Sequence, residues 1–215
     1  MKTKSLASTL LVICMLLSLS VPALAANSFT DVPDTHWGYT AIERAAEQGL
    51  VNGTGNNKYT PDATMAKTEW LTMICNLMYK DTVARYNANN TYANWYDVSV
   101  EVGKSFLSSH MDTKPFQDTF GAPTLRATRY VMAATIYAIA KSEGWDSNIT
   151  QAQIDSAKSN IADWDSVPEA YRQSVAYCYA AKFITGVDSK GTFDGSGTMT
   201  RAAAAVVLCR LLDAK

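Results

Sequence analysis

Six charged side chains recur at matched places along the chain, and the three basic ones suit the binding of an acidic group. The acidic ones lie at equal intervals of 66 residues: Asp31, Asp97 and Asp163. The basic ones each precede an apolar stripe of helical period: Lys67, Arg126 and Arg201. An arginine at a helix start can hold a carboxylate with two parallel hydrogen bonds, whereas a lysine offers only a compact charge. We therefore expect the two arginines to bind an acidic group more tightly than the lysine.

The aspartates, one tryptophan and two glycines could complete such a site. The carboxylates would accept hydrogen bonds from hydroxyls or amides of a ligand, or would fix the geometry of the adjoining turns. Trp37 would stack on the apolar face of a ring-shaped ligand or anchor the core. Gly53 and Gly186 would permit close approach of a ligand or supply a positive backbone angle for a turn, and the turn is the favoured interpretation.

Residues suited to catalysis or metal binding are sparse. The histidines are His36 and His110, and the sequence has no nucleophile elbow and no zinc-binding spacing. We therefore predict no catalytic residue, no metal and no cofactor, although paired carboxylates for glycoside hydrolysis are recognised only by their separation in space. Three cysteines beyond the N-terminal segment are expected to be buried and apolar: Cys75, Cys178 and Cys209. A disulfide between Cys75 and Cys209 is the alternative.

The N-terminus has the pattern of a secretory signal peptide over residues 1–25. Lys2 and Lys4 precede an apolar run that ends at Leu19, and the small-residue site Ala23-Leu24-Ala25 follows. Cleavage there removes two of the 19 basic residues, so 17 basic and 20 acidic side chains give a formal charge of −3, which does not favour nucleic acid. No later apolar run approaches membrane-spanning length, so the mature chain is expected to be secreted and free of the membrane.

A repeated sequence pattern positions the charged residues. Three segments open with an apolar-x-Asp sequence: Phe29-Thr30-Asp31, Trp95-Tyr96-Asp97 and Ile161-Ala162-Asp163. In the first and third segments a helical pattern, a glycine-ended turn and a loop follow, and the loop aromatic, Tyr59 or Phe193, lies eight residues before the basic residue. A second helix then carries the same apolar stripe in all three segments. Strand signals are weak, so we expect a mainly helical fold.

This order of elements resembles the S-layer homology family. The residues that carry the resemblance are His36-Trp37, Gly49-Leu50-Val51-Asn52-Gly53, Ile184-Thr185-Gly186 and Met199-Thr200-Arg201-Ala202. The resemblance implies three helix-loop-helix repeats in a compact pseudo-threefold body, at residues 27–79, 92–140 and 160–213. It also implies that grooves between neighbouring repeats bind secondary cell wall polymers, which often carry pyruvylated amino sugars.

The family motif Thr-Arg-Ala-Glu is incomplete in every repeat. Its counterparts are Ala66-Lys67-Thr68-Glu69, Leu125-Arg126-Ala127-Thr128 and Thr200-Arg201-Ala202-Ala203. Thr-x-x-Glu at a helix start is a capping box, and here only the third repeat keeps the Thr and only the first keeps the Glu. Each helix start is therefore expected to lose about 1 kcal/mol relative to a complete box. The second repeat is degenerate in its first half, and its loop aromatic, Phe120, lies six residues before Arg126.

The resemblance implies non-covalent anchoring at the cell wall or cell surface of a bacterium. The partner would be a secondary cell wall polymer or another acidic glycan linked to peptidoglycan. It would be bound by the six charged side chains together with Trp37, Gly53 and Gly186. The alternative function is a self-assembling envelope protein or a competitor for wall sites, and a glycan-active enzyme is the least favoured.

Overall fold

Residues 28–215 are described by a computed structural model, and the predicted signal peptide lies outside these residues. The described part of the chain contains nine α-helices and no β-sheet, so the prediction of a mainly helical fold is confirmed. The helices are α1 Tyr39–Glu47, α2 Lys67–Met78, α3 Lys80–Asn89, α4 Asp97–Leu107, α5 Thr113–Phe120, α6 Arg129–Ser142, α7 Gln151–Lys158, α8 Glu169–Ala180 and α9 Arg201–Ala214. Three short 3-10 turns lie between them, at Ser108–His110, Trp145–Asn148 and Trp164–Ser166. None of these helices combines the length and apolar character that a membrane span requires.

Three helix pairs link distant parts of the chain in a cycle. Helix α2 packs on α4, α6 packs on α8, and the C-terminal α9 returns to pack on α1. In each pair a thiol contacts a carbonyl of the facing helix: Cys75 with Ser99 (3.4 Å), Cys178 with Ala133 (3.6 Å) and Cys209 with Ala41 (3.4 Å). The three thiols are buried and free, which confirms the apolar interpretation. The alternative disulfide between Cys75 and Cys209 is not formed, and each of these thiols faces a backbone carbonyl instead.

The loops before α2, α6 and α9 meet in a central ring of backbone hydrogen bonds. The amide of Met65 donates to the carbonyl of Met199 (3.2 Å), that of Ala127 to Met65 (2.9 Å), and that of Met199 to Ala127 (3.0 Å). All three residues are buried. A ring of this kind satisfies backbone groups that burial would otherwise leave without partners. The ring brings the three helix starts together. The division of the chain into three repeats stays a prediction.

The ring corrects the predicted register of the second segment. Met65, Ala127 and Met199 each stand two residues before the first residue of a helix, so Arg129 occupies the place of Lys67 and Arg201. Arg126 was predicted to open this helix, but it lies in the extended segment before α6, where it is exposed and donates to the hydroxyl of Thr64. The reason is capping: the hydroxyl of Thr128 accepts from the amide of Val131 (3.3 Å), which starts the helix at Arg129.

The starts of α2 and α9 have the half-formed capping boxes that the sequence predicts. The hydroxyl of Thr200 accepts from the amide of Ala203 (3.2 Å) at α9. At α2 the Glu69 carboxylate accepts from the amide of Ala66 (2.7 Å), but the alanine side chain has no acceptor to offer in return. Helix α2 therefore begins with one half of the box.

Changing Ala66 to threonine is expected to raise the free energy of unfolding by about 1 kcal/mol. The backbone of Ala66 is already extended (φ −78°, ψ 160°), close to that of Thr200 (φ −87°, ψ 159°), so the new hydroxyl can accept from the amide of Glu69. Urea unfolding measures the change, and Ala93→Thr in an exposed loop is the control. A midpoint equal to that of the control variant would contradict the capping argument.

Candidate functional site

The arginine at the start of α9 reaches across to the loop of the first segment. Arg201 donates from Nε to the carbonyl of Tyr59 (2.8 Å) and from Nη2 to the carbonyl of Asn52 (2.6 Å). Its guanidinium also lies 4.5 Å from the centre of the Tyr59 ring and pairs with the Glu69 carboxylate at 3.3 Å. Only 6% of this residue is exposed, so its hydrogen-bonding capacity is largely taken up inside the protein.

The arginine at the start of α6 makes the corresponding contacts with the loop of the third segment. Arg129 donates from Nε to the carbonyl of Phe193 (2.5 Å) and from Nη2 to the carbonyl of Thr185 (2.8 Å). Its guanidinium lies 5.2 Å from the centre of the Phe193 ring. Burial lowers the pKa of this guanidinium, but the residue is only partly buried, and Nη1 is not engaged by either carbonyl. Arg129 is therefore positioned by the loop, and Tyr179 and Asp194 lie beside its guanidinium.

The lysine at the start of α2 is turned inward. Lys67 donates from Nζ to the carbonyl of Gly121 (2.8 Å) and is 8% exposed. Burial lowers the pKa of its ammonium group. Lys67 thus ties α2 to the second segment, as Arg201 and Arg129 tie their own helices to the neighbouring loops.

The aspartates fix loop geometry, which is one of the two roles that the sequence suggested. Asp31 accepts from the amides of Tyr59 (2.8 Å) and Thr60 (2.9 Å), while Asp163 accepts from the amides of Phe193 (2.6 Å) and Asp194 (2.9 Å). Burial acts to raise the pKa of Asp31, but the two amides hold it below its ordinary value. Each loop aromatic is thus held by a carboxylate at its amide and by an arginine at its carbonyl.

Asp97 differs from the other two aspartates. It is the first residue of α4, and its carboxylate accepts from the amide of Asn94 (2.8 Å) three residues earlier. The equal spacing in sequence therefore does not give Asp97 the loop-holding contacts of Asp31 and Asp163.

The two predicted glycines are required for close packing, and the favoured prediction of a positive backbone angle is wrong. Neither Gly53 nor Gly186 has a positive φ, whereas Gly49 (φ 66°) and Gly191 (φ 83°) do. A Cβ atom at Gly186 would lie 2.5 Å from the Cα atom of Gly191, and one at Gly53 would lie 2.7 Å from the carbonyl oxygen of Lys58. The loops fold back on these glycines, so a side chain has no room.

A groove of about 650 Å³ opens where parts of all three segments meet. Trp37, before α1, forms one wall and is 64% exposed, while Arg129 and Thr200 come from the starts of α6 and α9. Gly186 and Thr185 come from the turn of the third segment. Of the predicted site residues, Trp37 and Gly186 line this groove. The others do not: Lys67, Arg126, Arg201, Asp31, Asp97, Asp163 and Gly53.

The lining of the groove combines apolar surface with cations. Met132, Ile184 and Val207 contribute apolar side chains, and the two positive charges of Arg129 and Arg210 exceed the one negative charge of Asp194. An exposed tryptophan offers an apolar face to a ring-shaped ligand, and arginine is suited to carboxylates. The arrangement can therefore bind a small amphipathic ligand with a negative charge. Within residues 28–215, no group of His, Cys, Asp and Glu side chains could hold a metal ion.

Sequence reasoning missed two arginines of this groove. The signal for Arg129 was present, because Thr128-Arg129 repeats Thr200-Arg201 and counting seven residues further reaches the buried Ile136. For Arg210 no repeat signal exists, and its position follows only from the packing of α9 against the third segment.

Two regions of the chain match a known protein family. The family model described as S-layer homology domain matches residues 28–66 and 160–205, which include Trp37, Gly186 and the start of α9. These two parts of the chain therefore match the S-layer homology domain, which supports a protein of the bacterial cell surface.

Individual relatives are similar to parts of the chain. A cell surface glycoprotein 1 of Acetivibrio thermocellus is 33% identical over 28% of this chain and 3% of its own length. An S-layer protein of Bacillus thuringiensis subsp. finitimus is 30% identical over 34% of this chain and 9% of its own length. An endoglucanase of Bacillus sp. strain KSM-635 is 23% identical over 95% of this chain and 22% of its own length. The chain thus spans less than a quarter of each of these curated relatives.

Proposed function

We propose that this protein attaches non-covalently to the bacterial cell wall by binding an acidic wall glycan in the groove between Trp37 and Arg129. The observation that carries the proposal is the pairing of an exposed tryptophan with a loop-positioned arginine across a groove of about 650 Å³. The match of two regions to the S-layer homology domain supports the cell surface as the place of action.

The ligand that fits this lining best is a sugar carrying a carboxylate, such as a pyruvylated amino sugar of a secondary cell wall polymer. Its ring would stack on Trp37, and its carboxylate would accept hydrogen bonds from the guanidinium of Arg129. The start of α9, with Thr200 at its N-terminus, adds the positive end of a helix dipole to the same groove. Each charge-assisted bond contributes about 1.5 to 3 kcal/mol, so two or three give useful affinity.

In this proposal the other predicted site residues act by positioning. Arg201 and Lys67 hold helix starts against loops, while Asp31 and Asp163 hold the loop aromatics. The proposal also includes secretion after cleavage of the signal peptide, a chain of three repeats and the absence of catalytic activity. An endoglucanase-like activity would be detected as release of reducing sugar from purified walls.

Changing Trp37 to alanine is expected to weaken binding to purified Gram-positive walls about 5- to 10-fold, because one stacking surface is lost. Co-sedimentation with sacculi at increasing protein concentration measures the affinity. Trp95→Ala is the matched control, since Trp95 is 65% exposed but does not line the groove. Both variants should unfold like the wild type, because neither side chain is buried. Equal losses in the two variants would contradict the assignment of this groove.

A further inference from the structure

A second cavity of about 380 Å³ adjoins the groove, and Arg210 lines both. Its walls include Trp145 and Ile149 from the connector before α7, together with Lys182 and Phe183 at the end of α8. The groove continues on the other side of Phe183 with Ile184 and Thr185. The groove and the second cavity therefore share one wall at Arg210.

The second cavity carries uncompensated positive charge. Arg210 is partly buried and donates from Nη1 to the carbonyl of Phe183 (3.0 Å), but it makes no ion pair within residues 28–215. Burial alone lowers the pKa of Arg210, and no nearby carboxylate offsets it. The one acidic side chain in the lining, Asp213, is paired with Arg44 (3.0 Å) on the adjacent helix. An anion in the cavity would therefore supply a missing counter-charge.

Lys182 occupies a backbone position that favours glycine. Its φ is 60°, in the left-handed region, and the matching position at the end of α1 is Gly49 with φ 66°. A side chain in this conformation is strained, and glycine would relieve the strain. The ammonium of Lys182 also has no hydrogen bond or ion pair to another described residue. Lys182 is exposed, so its ammonium is accessible to a ligand at the wall of the cavity.

We propose that this cavity is a second anion subsite, which binds the next acidic sugar residue of the polymer whose first residue occupies the groove. Lys182 and Arg210 hold the anionic group, and the indole of Trp145 faces the sugar ring. This inference rests on the proposed function and deepens it, because it makes the ligand at least two consecutive acidic residues rather than one.

The test uses two synthetic ligands, a pyruvylated N-acetylamino monosaccharide and a trisaccharide of the same residues. Calorimetry measures the affinity of the full protein for each. The wild type should bind the trisaccharide at least 10-fold more tightly than the monosaccharide. Lys182→Gly should weaken trisaccharide binding about 5- to 10-fold, leave monosaccharide binding unchanged and raise the melting temperature. Lys104→Ala, which removes an exposed cation from α4, is the control and should change neither affinity. Trp145→Ala should show the same selective loss as Lys182→Gly.

The outcomes separate this inference from the proposed function. Equal affinities of wild type and Lys182→Gly for the trisaccharide would overturn the second subsite, while monosaccharide binding would leave the groove proposal standing. A loss of monosaccharide binding in Lys182→Gly would also overturn the second subsite, because the cavity would then belong to the first site. Absence of binding of either sugar to the wild type would overturn both proposals.

Discussion

Replacing Arg201 with methionine is expected to lower the free energy of unfolding by about 3 kcal/mol. Methionine fills much of the same space, but it leaves the carbonyls of Tyr59 and Asn52 without their donor and Glu69 without its counter-charge. The loop of the first segment would then lose its side-chain contacts with α9 and keep its hydrogen bonds to Asp31 and to backbone groups. Guanidinium chloride unfolding measures the change as a shift in midpoint at constant slope.

The control for this prediction is Arg126→Met. Arg126 is exposed and makes one side-chain contact, with the hydroxyl of Thr64, so its loss is expected to cost less than about 0.5 kcal/mol. An Arg201→Met variant as stable as the Arg126→Met variant would show that the buried contacts of Arg201 contribute little. The sequence-based expectation that Arg201 serves the ligand directly would then be preferred.

Replacing Arg129 with methionine is expected to weaken binding of a pyruvylated amino sugar about 10- to 100-fold, which is the range for losing one charge-assisted contact. The loss should exceed that of Trp37→Ala, because it removes the charge that recognises the carboxylate. Calorimetry with the monosaccharide measures it. Thermal unfolding of the same variant shows how much of the loss comes from the contacts of Arg129 with Thr185 and Phe193.

Two further variants make the Arg129 prediction specific. Arg129→Lys keeps the charge but cannot bridge two carbonyls and a ligand in one plane, so its affinity should lie between those of the wild type and Arg129→Met. Arg126→Met should bind like the wild type, because Arg126 does not line the groove. A loss in Arg126→Met equal to that in Arg129→Met would contradict the register that the central ring defines.

The local features of the fold could be predicted because they depend on nearby residues. Helical period predicts the mainly helical fold, and the spacing of Tyr59 and Phe193 from Lys67 and Arg201 predicts two of the three helix starts. The half-formed capping boxes follow directly from the residue types at Ala66 and Thr200. These features need no knowledge of which segments pack together.

The register of the second segment could not be fixed in the same way. Leu125-Arg126-Ala127 imitates the Thr-Arg-Ala order of the third segment, and only the central ring, with Ala127 between Met65 and Met199, shows that Arg129 is the matching residue. The role of Arg201 could not be predicted from the sequence for a related reason. Its carbonyl partners lie 142 and 149 residues away, so the residue type alone does not show whether the guanidinium holds backbone or ligand.

The most direct test of wall attachment is co-sedimentation of the protein with purified Gram-positive sacculi before and after mild acid removal of the pyruvyl ketals. If the groove recognises the ketal carboxylate, the protein should pellet with the untreated walls and remain in the supernatant with the treated walls. Equal pelleting with both preparations would contradict the carboxylate mechanism, and absence of pelleting with untreated walls would contradict the wall attachment itself.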